Sequence, residues 1–305
     1  RDEGAAGQSR GGPPPRGRVF VPMFFDTHNH SQFSFDGSGT TVGKSAVAAA
    51  EKGLGGICFT DHCDFYVPQM KEQFEPIVSE VFDIDAQQAE IDRVNGLIAE
   101  GGLGKSVPRK FRIFKGMELG LGEKNHEQTR ECLSSHKFDQ IIASVHYIED
   151  TDPYFGPYYK GKNWKEAYGR YLEALLREMR WLGDFDIMGH FDYVARYAPY
   201  PKESVLYRDF PGLFDEIFKY LIENGKGLEI NTKTYKAYGL RTPQLDRDLL
   251  IRYMELGGEI ISLGSDSHAP EQVGHKFDYF AQYVKMFGFR RLAHFEGRRL
   301  KMVTI

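Results

Sequence analysis

Six of the ten histidines in this 305-residue chain, His28, His30, His62, His146, His190 and His268, stand just past the C-terminal end of a short β-rich run. Asp61, Glu118 and Asp266 occupy equivalent places. The segments read Asp26-Thr-His-Asn-His30, Thr60-Asp-His62, Gly116-Met-Glu118, Ser144-Val-His146, Met188-Gly-His190 and Ser265-Asp-Ser-His268. Neutral imidazoles and carboxylates together suit Zn, Mn or Fe and need no thiolate. On an extended segment side chains alternate, so the rings of His28 and His30 point to one side and can reach one ion. Asp266 and His268 repeat that spacing. Any one of these signals is weak. A lone His-x-His is more often structural, Asp61-His62 could be a turn or a helix cap, and Glu118 could be a surface charge. Convergence carries the argument, because imidazoles and carboxylates gathered at one place without a cation would sit in poor company. His126, His136 and His294 fall in helices or loops and read as surface or packing residues, and His275 sits near the same place with little weight.

Positioning such a set requires elements that end together. The β-rich runs are Met23–Thr27, Gly56–Thr60, Phe111–Gly116, Gln140–Ser144, Asp186–Met188, Gly227–Ile230 and Glu259–Leu263. Between them, helical patterning covers Gly43–Lys52, Asp85–Ala99, Lys165–Trp181, Leu213–Glu223 and Gln244–Leu256. Tyr171, Leu175, Met179 and Leu182 give the clearest helical period, and Gly53, Gly183, Gly225 and Gly257 punctuate helix ends. Strand and helix alternating seven times predict parallel strands with right-handed crossovers. A closed or nearly closed barrel fits, with the site at the C-terminal ends of its strands; an open doubly wound sheet is the rival. Asp150–Asn163, rich in Tyr, Pro, Gly and Lys, reads as a long loop over one face, of the kind that forms lids.

Composition bounds the class. Apolar residues make up 41% and charged residues 27%, ordinary for a globular protein. The formal net charge of −4 argues against a nucleic-acid partner, and no apolar run is long enough to span a membrane. Cys58, Cys63 and Cys132 form no CxxC pair and are odd in number, which fits a reducing cytoplasm. Residues 1–22, with Pro13-Pro14-Pro15 and several Gly and Arg, read as a disordered leader or expression remnant rather than an arginine-rich targeting arm. Met23 reads as the native start, and residues 23–305 as one domain. Nothing in the sequence fixes an oligomeric state.

As an ordered set, Phe25-Asp-Thr-His-Asn-His30, Thr60-Asp-His62, Gly116-Met-Glu118, Ser144-Val-His146, Gly189-His190 and Gly264-Ser-Asp-Ser-His268 resemble the polymerase-and-histidinol-phosphatase (PHP) superfamily. Lys115-Gly-Met-Glu-Leu-Gly120 and Ile142-Ala-Ser-Val-His146 look closest to its histidinol-phosphatase branch, and the resemblance runs from Met23 to the C-terminus. It implies a distorted (β/α)7 barrel of TIM-like type with a three-metal centre, residues 23–305 forming one metal-dependent phosphoesterase domain. His28, His30, Glu118 and Asp266 would hold the first ion. His62 and His268 would hold the second with Asp36, where many relatives carry His. His146 and His190 would hold the third, with Glu118 bridging to the first.

The implied reaction is metal-assisted hydrolysis of a phosphate monoester, a hydroxide between two ions attacking phosphorus in line. Catalysis would then rest on His28, His30, Glu118, Asp266 and His268. Three divalent ions against three carboxylates would leave a pocket of roughly +3, an attractor for a phosphate dianion. Asp61 is a candidate to orient the His62 ring. Arg196, Asn231 and Lys233 are candidates for substrate contact, Asn231 before Lys233, and Lys160 and Lys162 could close over an anion from the long loop. Tyr147, Tyr154 and Tyr158 could face a cationic alcohol half. The resulting expectation is L-histidinol phosphate hydrolysis in histidine biosynthesis. The alternatives are another phosphorylated small molecule or nucleotide, or a non-catalytic module stabilised by metal.

Overall fold

A computed structural model describes residues 23–68 and 80–305. The expected leader, residues 1–22, lies outside the described residues. In chain order the elements are β1 (Phe25–Asn29), α1 (Val42–Glu51), β2 (Gly56–Phe59), β3 (His62–Asp64), β4 (Glu80–Val81), α2 (Ile84–Glu100), β5 (Arg112–Gly120), α3 (His126–Ser135) and β6 (Gln140–Ser144). They continue with α4 (Trp164–Leu182), β7 (Ile187–Met188), α5 (Tyr193–Arg196), α6 (Pro211–Glu223), β8 (Gly227–Asn231), α7 (Arg247–Glu255), β9 (Ile261–Gly264), α8 (Phe277–Met286), β10 (Arg291–Glu296) and β11 (Arg299–Thr304).

Seven strands pair in the order β1-β2-β5-β6-β7-β8-β9, all parallel. Apolar runs such as Gln140-Ile-Ile-Ala-Ser144 are buried along their whole length, as strands covered on both faces must be. The sheet curls until its edges meet. There the His30 amide donates to the Ser267 carbonyl (2.8 Å) and the Asp266 amide to the His28 carbonyl (2.8 Å). Below these bonds the seam is held by side chains: Thr27 Oγ1 donates to the Leu263 carbonyl (2.9 Å), and the Ser265 amide to Asp26 Oδ1 (2.9 Å). The architecture is a nearly closed seven-stranded barrel with outer helices.

Helix α4 illustrates how sequence sets an outer element. Asn163 caps its N-terminus in a capping box with Glu166, and Gly183, at φ 65°, ends it. Its inner stripe, Tyr168, Tyr171, Leu172, Leu175 and Met179, is fully buried against the barrel. No helix among the described residues is long and apolar enough to cross a membrane.

Three features depart from expectation. β1 and β5 run to Asn29 and Gly120, so His28 and Glu118 lie inside strands rather than beyond them. Short β3 pairs the upper half of β5, placing His62 opposite Glu118. The β10–β11 hairpin lies at the opposite end of the barrel from the mouth: Phe295 packs with Ile142, Ile187 and Ile260, and His294 stacks on Phe25 at 3.8 Å. His294 is therefore a strand residue.

Candidate metal centre at the barrel mouth

The extended β1 and β5 bring Glu118 beneath the mouth, fully buried. Its Oε2 faces His28 Nε2 (3.2 Å), His30 Nε2 (3.5 Å) and His62 Nδ1 (3.0 Å). Its Oε1 faces His146 Nε2 (3.1 Å) and His190 Nε2 (2.7 Å), and accepts from Ser144 Oγ (2.8 Å). Five imidazoles from β1, β3 and the ends of β6 and β7 thus surround one carboxylate. His268 Nε2 meets Asp36 Oδ2 (2.7 Å), which also faces His62 Nε2 (3.6 Å). Asp266 Oδ1 lies 3.4 Å from His30 Nε2. Asp266 holds a left-handed backbone, φ 49°, a conformation that Asp tolerates better than most residues.

The electrostatics are those of a crowded, water-poor cluster. Burial alone would raise the Glu118 carboxyl, but the neighbouring His28, His146 and His62 hold it well below the usual carboxylate range. Lys233, His28 and His30 do the same for buried Asp266. Burial, with His268 and His62 alongside, pushes His30 well below the ordinary imidazole value. Burial would also lower His62, yet Glu118 and Asp36 lift it to about 10.

Among the described residues, four groups of side chains could each hold an ion: His28, His30 and Asp266; His30, Asp36, His62 and His268; Glu118, His146 and His190; and His62, Asp64 and His146. His28 Nε2, His30 Nε2, His62 Nδ1 and Glu118 Oε2 are buried without a hydrogen-bond partner. Buried polar atoms are normally satisfied. Ligand atoms around one tetrahedral ion at 2.0–2.1 Å lie roughly 3.4 Å apart, close to the spacings seen here. The donor set fits divalent cations.

Behind these atoms stand two carboxylates that sequence reading missed. Glu229, on β8, meets His28 Nδ1 through Oε1 (2.7 Å) and accepts the His190 amide through Oε2 (2.8 Å). Gly264 makes this approach possible, since a Cβ there would fall 2.2 Å from Glu229 Oε1 and 2.6 Å from the His28 Cβ. Asp64, on β3, meets His146 Nδ1 through Oδ2 (2.9 Å). A carboxylate on the far ring nitrogen fixes the tautomer and leaves the other nitrogen as a ligand. Glu229 alternates with Leu228 and Ile230 in an ordinary strand pattern, so its partner, 201 residues away, was the only informative signal.

Other expected residues divide. Asp61 does not touch the His62 ring: its carboxylate is occupied by the Ser31 amide (2.5 Å), Ser31 Oγ (2.6 Å) and Gln87 Nε2 (2.7 Å), which fixes the turn after His30. Arg196 and Lys233 line a cavity of about 330 Å³ over the centre. Arg196 Nη1 meets Asp266 Oδ2 (3.1 Å), Lys233 Nζ meets Asp266 Oδ1 (3.0 Å), and Arg196 Nη2 is buried without a partner. Asn231 does not line the cavity; it lies beneath, donating to Asp266 Oδ2 (3.2 Å). The long loop reaches the cavity through Asp152, Tyr154 and Phe155 rather than its lysines. Lys162 pairs with Glu149 (2.9 Å), and Lys160 is exposed. Tyr147 donates to Glu80 (2.8 Å), and buried Tyr158 donates to the Ala167 carbonyl (2.6 Å).

This geometry has relatives. The PHP domain model matches residues 26–233. The chain is 35% identical to the histidinol-phosphatase of Lactococcus lactis over 276 residues, covering 90% of this chain and 95% of the relative. A probable histidinol-phosphatase of Clostridium acetobutylicum is 31% identical, covering 84% and 90%. The solved structure of histidinol phosphate phosphatase from Lactococcus lactis, complexed with Zn, L-histidinol and phosphate, superposes with a TM-score of 0.78 at 31% identity, over 91% of this chain and 98% of that one. Motif order, barrel and sequence agree, and the chain belongs to the PHP domain family.

Proposed function

We propose that residues 23–305 form one metal-dependent phosphatase that hydrolyses L-histidinol phosphate to L-histidinol and phosphate, in the histidine-biosynthetic pathway of the cytoplasm. The observation that carries this reading is the Glu118 hub, one buried carboxylate facing five imidazoles while its Oε2 and three ring nitrogens lack hydrogen-bond partners. Relatives named for this activity support the substrate.

In this reading His28, His30, Glu118 and Asp266 hold a first divalent ion, Zn, Mn or Fe. Asp36, His62 and His268 hold a second, and His146 and His190 a third with Glu118 in common. Bound ions would lower the pKa of water toward neutrality and offset charge on the phosphoryl oxygens. Glu229 and Asp64 keep His28 and His146 in the tautomer that presents Nε2 inward. Arg196, with Nη2 free, and Lys233 orient phosphate oxygens; a guanidinium fork suits that task. Arg196 is itself held by Thr234 Oγ1, which accepts from Nε (2.9 Å) and donates to Asp192 (3.1 Å).

The test is phosphate release from histidinol phosphate and from an aryl phosphate with Zn, Mn or Fe supplied. Turnover of histidinol phosphate no faster than the aryl phosphate refutes the substrate. No turnover of either favours a non-catalytic module.

A further inference from the structure

The cavity over the centre has two unlike walls. One carries Arg196 and Lys233. Arg196 is 2% exposed, and its Nη2 has no partner. A buried guanidinium N–H without an acceptor is costly, and an anionic oxygen is its best match. The other wall carries Glu80, from β4, and Asp152, from the long loop. Glu80 is 6% exposed, and Asp152 is half-buried.

Each of these carboxylates has a tyrosine fixing it. Tyr147 Oη donates to Glu80 Oε1 (2.8 Å), and Tyr193 Oη donates to Asp152 Oδ1 (2.8 Å). The Tyr154 amide adds a second bond to Asp152 Oδ1 (2.8 Å). Among the described residues no Lys or Arg pairs with either carboxylate. The charged groups that act on Glu80 are Asp64, His62 and His146, and His146 and Asp64 also act on Asp152. Asp64 is itself bonded to His146. Burial, then repulsion from Asp64, pushes Glu80 up to about 7. Burial raises Asp152 as well. These are carboxylates built into a wall without a cation. The rings of Tyr154 and Tyr193 stand beside them.

We infer that Glu80 and Asp152 form a subsite for a protonated nitrogen carried by the alcohol half of the phosphate ester, so the cavity selects a substrate that is anionic at one end and cationic at the other. The inference rests on the phosphatase reading above and deepens it. The tyrosines occupy Oε1 of Glu80 and Oδ1 of Asp152. That leaves Oε2 and Oδ2 to accept from an ammonium or imidazolium, with aromatic faces available to the same cation. A second phosphate, as in a sugar bisphosphate or a nucleotide, would meet like charge on this wall.

The test uses the full-length, metal-loaded protein and two probes, histidinol phosphate and p-nitrophenyl phosphate, which lacks a cation. In Glu80→Gln and in Asp152→Asn, the ratio of kcat/KM for histidinol phosphate over p-nitrophenyl phosphate should fall about 10- to 100-fold, the effect of losing a hydrogen bond to a charged group. Bound metal, read by mass spectrometry, should stay at the parent level. Calorimetry should show weaker binding of L-histidinol by a similar factor, with inorganic phosphate less affected. Glu80→Asp should recover part of the ratio. If the parent protein prefers histidinol phosphate and both variants keep that preference, the subsite is wrong and the phosphatase reading stands. A parent protein with no preference overturns both. Equal losses on both probes would assign Glu80 and Asp152 to the fold.

Discussion

Glu229→Gln should weaken metal binding while leaving the fold intact. The side chain is fully buried; its two oxygens face His28 Nδ1 at 2.7 Å and the His190 amide at 2.8 Å, with the more distant Asn231 Nδ2 at 3.4 Å from both. Glutamine keeps the shape but has one acceptor oxygen. Whichever way its amide turns, an NH2 group faces an N–H. If it turns toward His28, the ring loses the acceptor that holds its proton on Nδ1, and Nε2 is no longer reserved as a ligand. If it turns toward His190, a buried amide is orphaned at a cost of about 1–3 kcal/mol. Loss of such an outer carboxylate typically lowers metal affinity by about 10–100-fold, or roughly 1.4–2.7 kcal/mol. The assay is competition with a chromophoric chelator, read beside kcat/KM at rising metal concentration. Activity should be partly restored by excess metal, and circular dichroism should be unchanged. An affinity within two-fold of the parent would refute the reasoning, because it would mean that the His28 tautomer does not need Glu229.

Three further outcomes follow from the same geometry. Arg196→Ala should lower kcat/KM for phosphate monoesters by about 10–150-fold, the range for hydrogen bonds to charged groups, with metal content unchanged because Lys233 and Asn231 still hold Asp266; an unchanged kcat/KM removes Arg196 from the site. Stripping metal from protein kept at a hundred times Kd should cost about 2.7 kcal/mol and lower Tm by roughly 5–10 °C, and a Tm unmoved by chelation would separate the centre from stability. His275 is held down to about 4 by burial and then by Lys236, Lys276 and Lys52. Its folded pKa lies below its unfolded one, so its neutral form stabilises the fold above about pH 6.5. That contribution is lost as pH falls toward 4, and His275→Gln should flatten the decline in denaturation experiments across that window.

Much of the frame was legible because parallel, doubly covered strands leave continuous apolar runs. Gln140–Ser144 was read to the residue. What escaped has physical causes. β3 and β4 hold three and two residues, too few to display a period, and β3 consists of His62, Cys63 and Asp64. The β10–β11 hairpin mixes Arg, Lys and Glu into its strands and exposes much of β11, so its alternation reads as a polar tail, although Gly297 at φ 52° marks the turn. Among site residues, those in strand-end motifs were visible because His and Asp are conspicuous there. Glu229 and Asp64 were not, since a carboxylate inside a strand reads as an outward-facing residue until the partner's position is known. Asn231 and Asp61 were visible for the same reason as the ligands, and sequence could not tell a side chain pointing into the cavity from one bracing the residues beneath it.

The barrel seam explains why site and fold are hard to separate in this protein. Along β1 and β9 the backbone bonds that close the barrel belong to His28, His30, Asp266 and Ser267, which either carry the candidate ligands or neighbour them. Asn29, between the two histidines, accepts from Ser265 Oγ (3.1 Å) and Ser267 Oγ (2.7 Å) through Oδ1. Closure therefore aligns the first and last motifs, 236 residues apart, in the same step that completes the ring. The rings converging there, with His30 4.2 Å from His62 and 4.1 Å from His268, cannot all carry charge in a buried space. A cation among them would relieve that conflict and draw β1 and β9 together. The metal that makes the chemistry possible would thus fasten the edge at which the barrel is weakest, which is why stripping it should be read in Tm as well as in turnover.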